Sequence, residues 1–305
     1  MRGSRELECL NAIKDTMFYQ NGQPLKNPFT HKTYLDVSDE EFKKDRIWFV
    51  NSECNKSYFG LLECDREEFE SILRSAYPNP DASCFPDFIF ENGIIEHFRV
   101  TSSHVTRKGA THTRKESDFR RTVNGETKEL ESVWNETPSF DKVRSKSWTF
   151  PYPTHSYEFL VDSFRENWEK HLKSYHKYSG SKQIGIFMIE YMEAALAMCE
   201  NVYCEWINGM SQGDMREQEE FKEYRLSRDK NLLEYIYQFK NEIQYVIFLN
   251  HARIEVIDTE NIPYLMKLMP WNYVIYPLQV TTVESVYNIS VPACSKQGDE
   301  ANEKS

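Results

Sequence analysis

The sequence predicts an α/β protein with a mixed central sheet flanked by helices, and three observations carry that prediction. A helical stripe within 155–178 leads into the apolar run 183–191, whose two-faced hydrophobicity suits a central strand. Residues 86–100 read as a hairpin, because Phe88-Ile89-Phe90 and the run from Ile94 to Val100 flank Asn92-Gly93, the dipeptide that best tolerates a type I′ turn. A second succession of helix, strand and strand runs from Asp229 to Ile257.

Taken in order, residues 1–64 form an N-terminal extension with a short helix from Glu6 to Thr16 and a loop marked by Gly22, Pro24, Asn27 and Pro28. Asp65 to Tyr77 starts with an N-cap residue and acids, spaces Phe69, Ile72, Leu73 and Ala76 helically, and stops before Pro78. After the hairpin, 101–153 is polar and punctuated by Gly109, Gly125, Pro138, Pro151 and Pro153, so a long excursion with at most short elements is expected. In 155–178, Phe164, Trp168 and Leu172 fall four apart with Leu160 and Tyr175 beside them, which predicts a long helix with an aromatic buried stripe. Segment 192–212 reads either way, and Asp214 to Glu220 reads as a solvated helical face. Leu232, Leu233, Ile236 and Phe239 predict a helix over 229–242, followed by strands at 245–249 and 253–257 and further strand-like sequence from Tyr273 to Ser290. The expected organisation is a core at 65–195 with a long insertion at 101–153, a C-terminal α+β extension at 196–294, and a disordered tail at 295–305.

Composition sets the class. At 305 residues and 40% hydrophobic content the chain can bury a sizeable core. No segment has the apolar length to cross a bilayer and the start lacks a signal-peptide core, so a soluble, cytoplasmic protein with no membrane contact is expected. The seven cysteines are odd in number and scattered with no C-x-x-C, which suits a reducing compartment and gives no zinc-cluster spacing. The net charge of −11 argues against general coating of polyanions, yet Arg99, Arg107, Lys108, Arg114, Lys115, Arg120 and Arg121 are opposed locally by only Glu116 and Asp118. That stretch reads as a solvated loop or as a local anion-facing surface. Phosphate-binding, nucleophile-elbow and metalloprotease motifs do not occur.

The hairpin carries the chemistry. With Asn92 and Gly93 as turn residues, Ile89 pairs with Glu96 and Asp87 with Phe98, and Asp87, Ile89, Ile94, Glu96 and Phe98 share a face. Asp87 and Glu96 are then diagonal neighbours roughly 7–8 Å apart, close enough to grip one hard divalent cation. His97 points to the opposite face in this register; with a three-residue loop from Glu91 to Gly93 it would face Asp87 instead. The plain structural reading is a solvated Asp87 and a buried Glu96 paired with Arg99 or Arg107.

Pro86-Asp87 with Glu96 following, in the order helix, acid-bearing hairpin, helix, central strand, resembles the core of the PD-(D/E)XK nuclease superfamily. The whole stretch through Thr101-Ser102-Ser103 and Arg107-Lys108-Gly109 is similar to uncharacterised bacterial members, and the likeness covers roughly 65–195. The resemblance implies a restriction-endonuclease-like core and a nuclease dependent on Mg²⁺ (or Mn²⁺) that hydrolyses DNA, within a restriction or defence system. Asp87 and Glu96 would be the metal ligands and Arg107, Arg114 and Lys115 the contacts to the DNA backbone. Glu67 or Glu70 on the preceding helix would add a ligand or simply complement the helix dipole, His97 would stand behind the ligands or in the core, and Glu190 would line the cleft behind them or be a solvent-facing strand end. The lysine expected two residues after the acid is Phe98 here, and Lys108 is the candidate replacement. A catalytically inactive relative that binds nucleic acid or protein is the alternative, and an unrelated α/β interaction protein with structural acids is a third. A homo-oligomer or a partner protein is compatible with each.

Overall fold

The computed structural model describes residues 3–16, 19–20, 23–24, 48–49, 57–60, 63–81, 84–136, 143–200, 220–221, 223–250, 253–268, 272–279 and 281–289. Numbered along the chain, the strands of an eight-stranded sheet lie in the order β3 (Trp48–Phe49), β4 (Ser57–Gly60), β15 (Arg253–Asp258), β14 (Tyr245–Asn250), β11 (Ile184–Tyr191), β7 (Gly93–Arg99), β6 (Phe88–Phe90) and β5 (Tyr77–Pro78). β11 runs parallel to both of its neighbours, β15 runs parallel to β4, and the other pairs are antiparallel, so the sheet is mixed. The expected core 65–195 supplies β5, β6, β7 and β11, while β3, β4, β14 and β15 come from the segments read as extensions.

Helices cover both faces. On β11, Ile186 and Met188 point one way and Phe187 and Ile189 the other, as a central strand requires. The first pair joins Phe88, Phe90 and Ile95 beneath α1 (Ser4–Thr16) and α2 (Glu63–Ser75), through Leu10, Ile13, Phe69 and Leu73. The second pair joins Ile94 and Phe98 beneath α4 (Tyr157–Lys177), α5 (Lys230–Tyr237) and α6 (Ile262–Leu268). α4 starts where Ser156 Oγ accepts the Phe159 amide at 3.2 Å, and it buries the expected Leu160, Phe164, Trp168, Leu172 and Tyr175. Smaller pairings join β1 (Tyr19–Gln20) to β2 (Gln23–Pro24), β8 (Val105–Thr106) to β9 (Gly109–Ala110), and β12 (Leu196–Glu200) to β13 (Glu220–Phe221) and β16 (Tyr273–Pro277). Among the described residues no helix is long and apolar enough to cross a membrane.

The hairpin forms, but in another register. Phe90 pairs with Gly93, Ile89 with Ile94 and Phe88 with Ile95, so the turn residues are Glu91 and Asn92 and not Asn92 and Gly93. Positive-φ glycines among the described residues are Gly3 and Gly109, so Gly93 does not serve a type I′ turn. Its role is a close approach: a Cβ there would lie 1.9 Å from the Ile184 carbonyl oxygen, where β11 enters beside the turn. Continued by one residue, this register sets Asp87 directly opposite Glu96.

The chain divides into two compact units, Met1–Val105 with Thr154–Leu278, and Thr106–Pro153 with Gln279–Ser305. The second corrects the expectation of short elements, since it holds the 26-residue helix α3 (Thr111–Glu136) and the antiparallel pair β10 (Val143–Thr149) and β17 (Val283–Ile289). Polarity suggested a loop because little of this helix is buried. Side-chain pairs along its surface, Arg120 with Glu116 and Arg121 with Asp118, support it locally, and Glu126 accepts the Trp148 indole N–H at 2.8 Å. The charged segment 214–219, the tail 295–305 and the Glu67 side chain lie outside the described residues.

Candidate functional site

Asp87 and Glu96 meet on the α4 face of the sheet. The Asp87 amide donates to Glu96 Oε2 at 3.1 Å and the His97 amide donates to Asp87 Oδ2 at 2.8 Å, so the backbone of each strand holds the carboxyl of the other. Glu96 Oε1 lies 2.6 Å from Nδ1 of His171, which borders the buried stripe of α4 one position before Leu172. The His171 ring stacks on Phe98 with centroids 4.8 Å apart and planes 17° apart, so the residue standing where a lysine was expected presents an imidazole to the acid.

Burial dominates the electrostatics. It pushes Asp87 up to about 6, helped by the charge of Glu96, and pushes Glu96 up to about 7 against the hydrogen bonding from Asp87. Burial, with Lys170 nearby, pushes His171 down to about 4. Two carboxyls whose ionisation burial opposes, with hard oxygen donors side by side, could hold a hard divalent cation. A cation placed there would relieve the repulsion that burial intensifies.

The opposite face holds a second cluster. His97 and Glu190 both point toward α1, where Glu190 Oε1 accepts from Arg5 Nε at 2.8 Å and Oε2 accepts from Arg99 Nε at 2.8 Å. His97 Nε2 lies 3.2 Å from Glu190 Oε2 and 3.9 Å from Cys9 Sγ. Burial raises the pKa of Glu190, but hydrogen bonds from His97, Arg5 and Arg99 outweigh it and hold the carboxyl at about 2. Burial and then Glu190 push the Cys9 thiol up to about 11. Glu190 is therefore a buried acid held by two guanidiniums, not a solvent-facing strand end, and Arg99 pairs with it rather than with Glu96.

A third polar network closes the end of β11. Glu193 accepts from Thr101 Oγ1 and from the Ser102 amide at 2.8 Å, and Ser102 Oγ lies 2.8 Å from His155 Nδ1 and 2.9 Å from Glu193 Oε2. A serine, a histidine and a glutamate in contact invite comparison with a hydrolase triad. Both partners reach the same imidazole nitrogen, however, Glu193 at 3.3 Å, whereas a relay needs acid and nucleophile on opposite nitrogens. With Ser102 fully buried, the cluster is a satisfied structural network.

The remaining sequence candidates fall elsewhere. Glu70 pairs with Arg74 on α2, which packs against the sheet face opposite Asp87 and Glu96. Lys108 and Arg107 occupy the exposed turn between β8 and β9, and Arg114 and Lys115 lie in the first turns of α3, all within the second unit. Sequence reasoning missed His171, whose signal is a histidine three residues after Trp168 at the margin of an apolar stripe. It also missed Arg5 and Cys9, spaced one helical turn apart on α1. No protein family, curated protein or solved structure matches the chain.

Proposed function

We propose that this chain has a divergent PD-(D/E)XK-like, restriction-endonuclease-like core and acts as a divalent-cation-dependent nuclease on DNA, with Asp87 and Glu96 as the cation ligands. The observation that carries the reading is the cross-strand carboxyl pair, each carboxyl held by a backbone amide of the other strand and pushed toward protonation by burial. Phosphodiester hydrolysis adds the hydroxyl of water to phosphorus, breaks the bond to one sugar oxygen and returns a proton to that oxygen. A bound Mg²⁺ or Mn²⁺ supplies Lewis-acid polarisation of the phosphate and eases the ionisation of water. Asp87 and Glu96 supply the oxygen ligands, the His97 and Asp87 amides fix their rotamers, and His171 orients Glu96 through Oε1. A defence or restriction setting is the context this activity suits.

The test is cleavage of plasmid and single-stranded DNA with Mg²⁺ or Mn²⁺ by the wild type, Asp87→Asn and Glu96→Gln. Each variant is expected to lose more than the roughly 100-fold that outer-shell changes reach at metal centres, with His171→Ala inside that range. Cleavage unchanged by both acid substitutions would sink the nuclease reading. Phe98 favours a second reading, an inactive relative that binds nucleic acid or protein, because an apolar ring can neither donate to a phosphate nor take a proton. That reading expects DNA retention without cleavage in either metal.

A further inference from the structure

We infer that Cys9, His97 and Glu190 form a zinc-binding site that ties α1 to the central sheet, on the face opposite the Asp87 and Glu96 pair. One ligand-type atom from each of the three lies within 4.8 Å of the others, all three residues are buried, and they come from α1, β7 and β11. A tetrahedral Zn²⁺ with bonds of about 2.3 Å to sulfur and about 2.0 Å to nitrogen and oxygen separates its ligands by about 3.3–3.6 Å. The observed separations of 3.9 Å for Cys9 Sγ to His97 Nε2 and 3.2 Å for His97 Nε2 to Glu190 Oε2 bracket that span, and the remaining pair, Cys9 with Glu190, is held within 4.8 Å. Cysteine spacing could not reveal this site, because only one ligand is a cysteine.

The ligand set decides the metal class. Thiolate, imidazole and carboxylate together suit Zn²⁺ and its surrogate Co²⁺, whereas Mg²⁺ avoids sulfur. Binding forms the S–Zn bond as the Cys9 thiol gives its proton to solvent, and no electrons change hands. The pocket therefore gains only one net positive charge from a dication. Arg5 and Arg99 repel the cation, yet their side chains are 41% and 58% exposed, which leaves water to screen them while they hold the Glu190 carboxylate in place.

The test uses the full-length chain, stripped with a chelator and then titrated with Co²⁺ and with Zn²⁺. Co²⁺ is expected to produce a thiolate-to-metal absorption band that Zn²⁺ displaces, and Zn²⁺ is expected to slow labelling of the Cys9 thiol. Cys9→Ser should lose the band while keeping the wild-type circular dichroism. Absence of a band in the wild type overturns the inference without recourse to a variant. So does a band that persists in Cys9→Ser, since it would belong to another cysteine. Should Cys9→Ser misfold, His97→Gln serves as the second variant, and an unchanged band in it also overturns the site.

Discussion

Glu190, Glu193, Asp87 and Glu96, among the buried and half-buried acids of the first unit, differ by what donates to them. Glu190 and Glu193 collect enough donors to stay ionised, whereas Asp87 and Glu96 receive one backbone amide each and are pushed toward protonation. For Glu193 burial raises the pKa, but His155, Thr101 and the Ser102 amide outweigh it, and the value lies below that of a free glutamate. A depressed folded-state pKa stabilises the fold above the unfolded value and loses that contribution as pH falls through the folded one. Urea denaturation should therefore show Glu193→Gln to be destabilised by about 1–3 kcal/mol near neutral pH. The gap to wild type should narrow as pH falls below the range in which a free glutamate titrates, and a constant gap would show that ionised Glu193 contributes nothing. At this scale the acids were legible and their partners were not. Asp87 and Glu96 could be singled out because a turn signal placed them, but His171 and Cys9 reach the sheet through tertiary packing that no local pattern encodes.

The elements were more legible where burial made them periodic. α4, β11 and the β14 and β15 pair follow from stripes and apolar runs, because each faces a core on one side or both. α3 was hidden, since a helix that buries little carries no strong apolar stripe. The hairpin shows how one dipeptide can be read for the wrong reason, as Gly93 answers to the backbone of β11 and not to the turn. Gly93→Ala is expected to lose about 1–3 kcal/mol through overpacking against Ile184. Gly125→Ala, in the interior of α3 with nothing within 4 Å of its new methyl, should instead gain up to about 1 kcal/mol. Thermal melts of the two variants check both signs together, and a tolerated Gly93→Ala would return the glycine to the turn.

Charge is distributed unevenly over the whole molecule, which carries a net −11. The start of α3 has no acidic residue in its first turn and is preceded and followed by basic ones, contrary to what the helix dipole favours. Under the nuclease reading this layout serves phosphates. Replacing Arg107, Arg114 and Lys115 by alanine should weaken DNA binding uniformly across sequences. It should also flatten the dependence of log affinity on log salt by about 0.9 for each phosphate that is no longer neutralised. An unchanged slope would remove these three residues from the interface.

β11 has a consequence of another kind, concerning the order in which the protein can assemble. Its parallel partners β7 and β14 lie far away along the chain in opposite directions, and the Thr106–Pro153 segment of the second unit is threaded between β7 and α4. Parallel neighbours cannot be joined by a tight turn, so the middle of the sheet closes only after large loops have been brought together. Loop closure grows slowly with length, which lets an insertion of that size sit inside the chain at little thermodynamic cost while delaying the central pairing in time. The β6 and β7 hairpin and the β14 and β15 hairpin, by contrast, can each form from its own neighbourhood. Pairing of β11 is therefore expected to come last, which pulsed hydrogen exchange would show as late protection of its amides, and the Gly93 notch leaves room for the Ile184 carbonyl when it does.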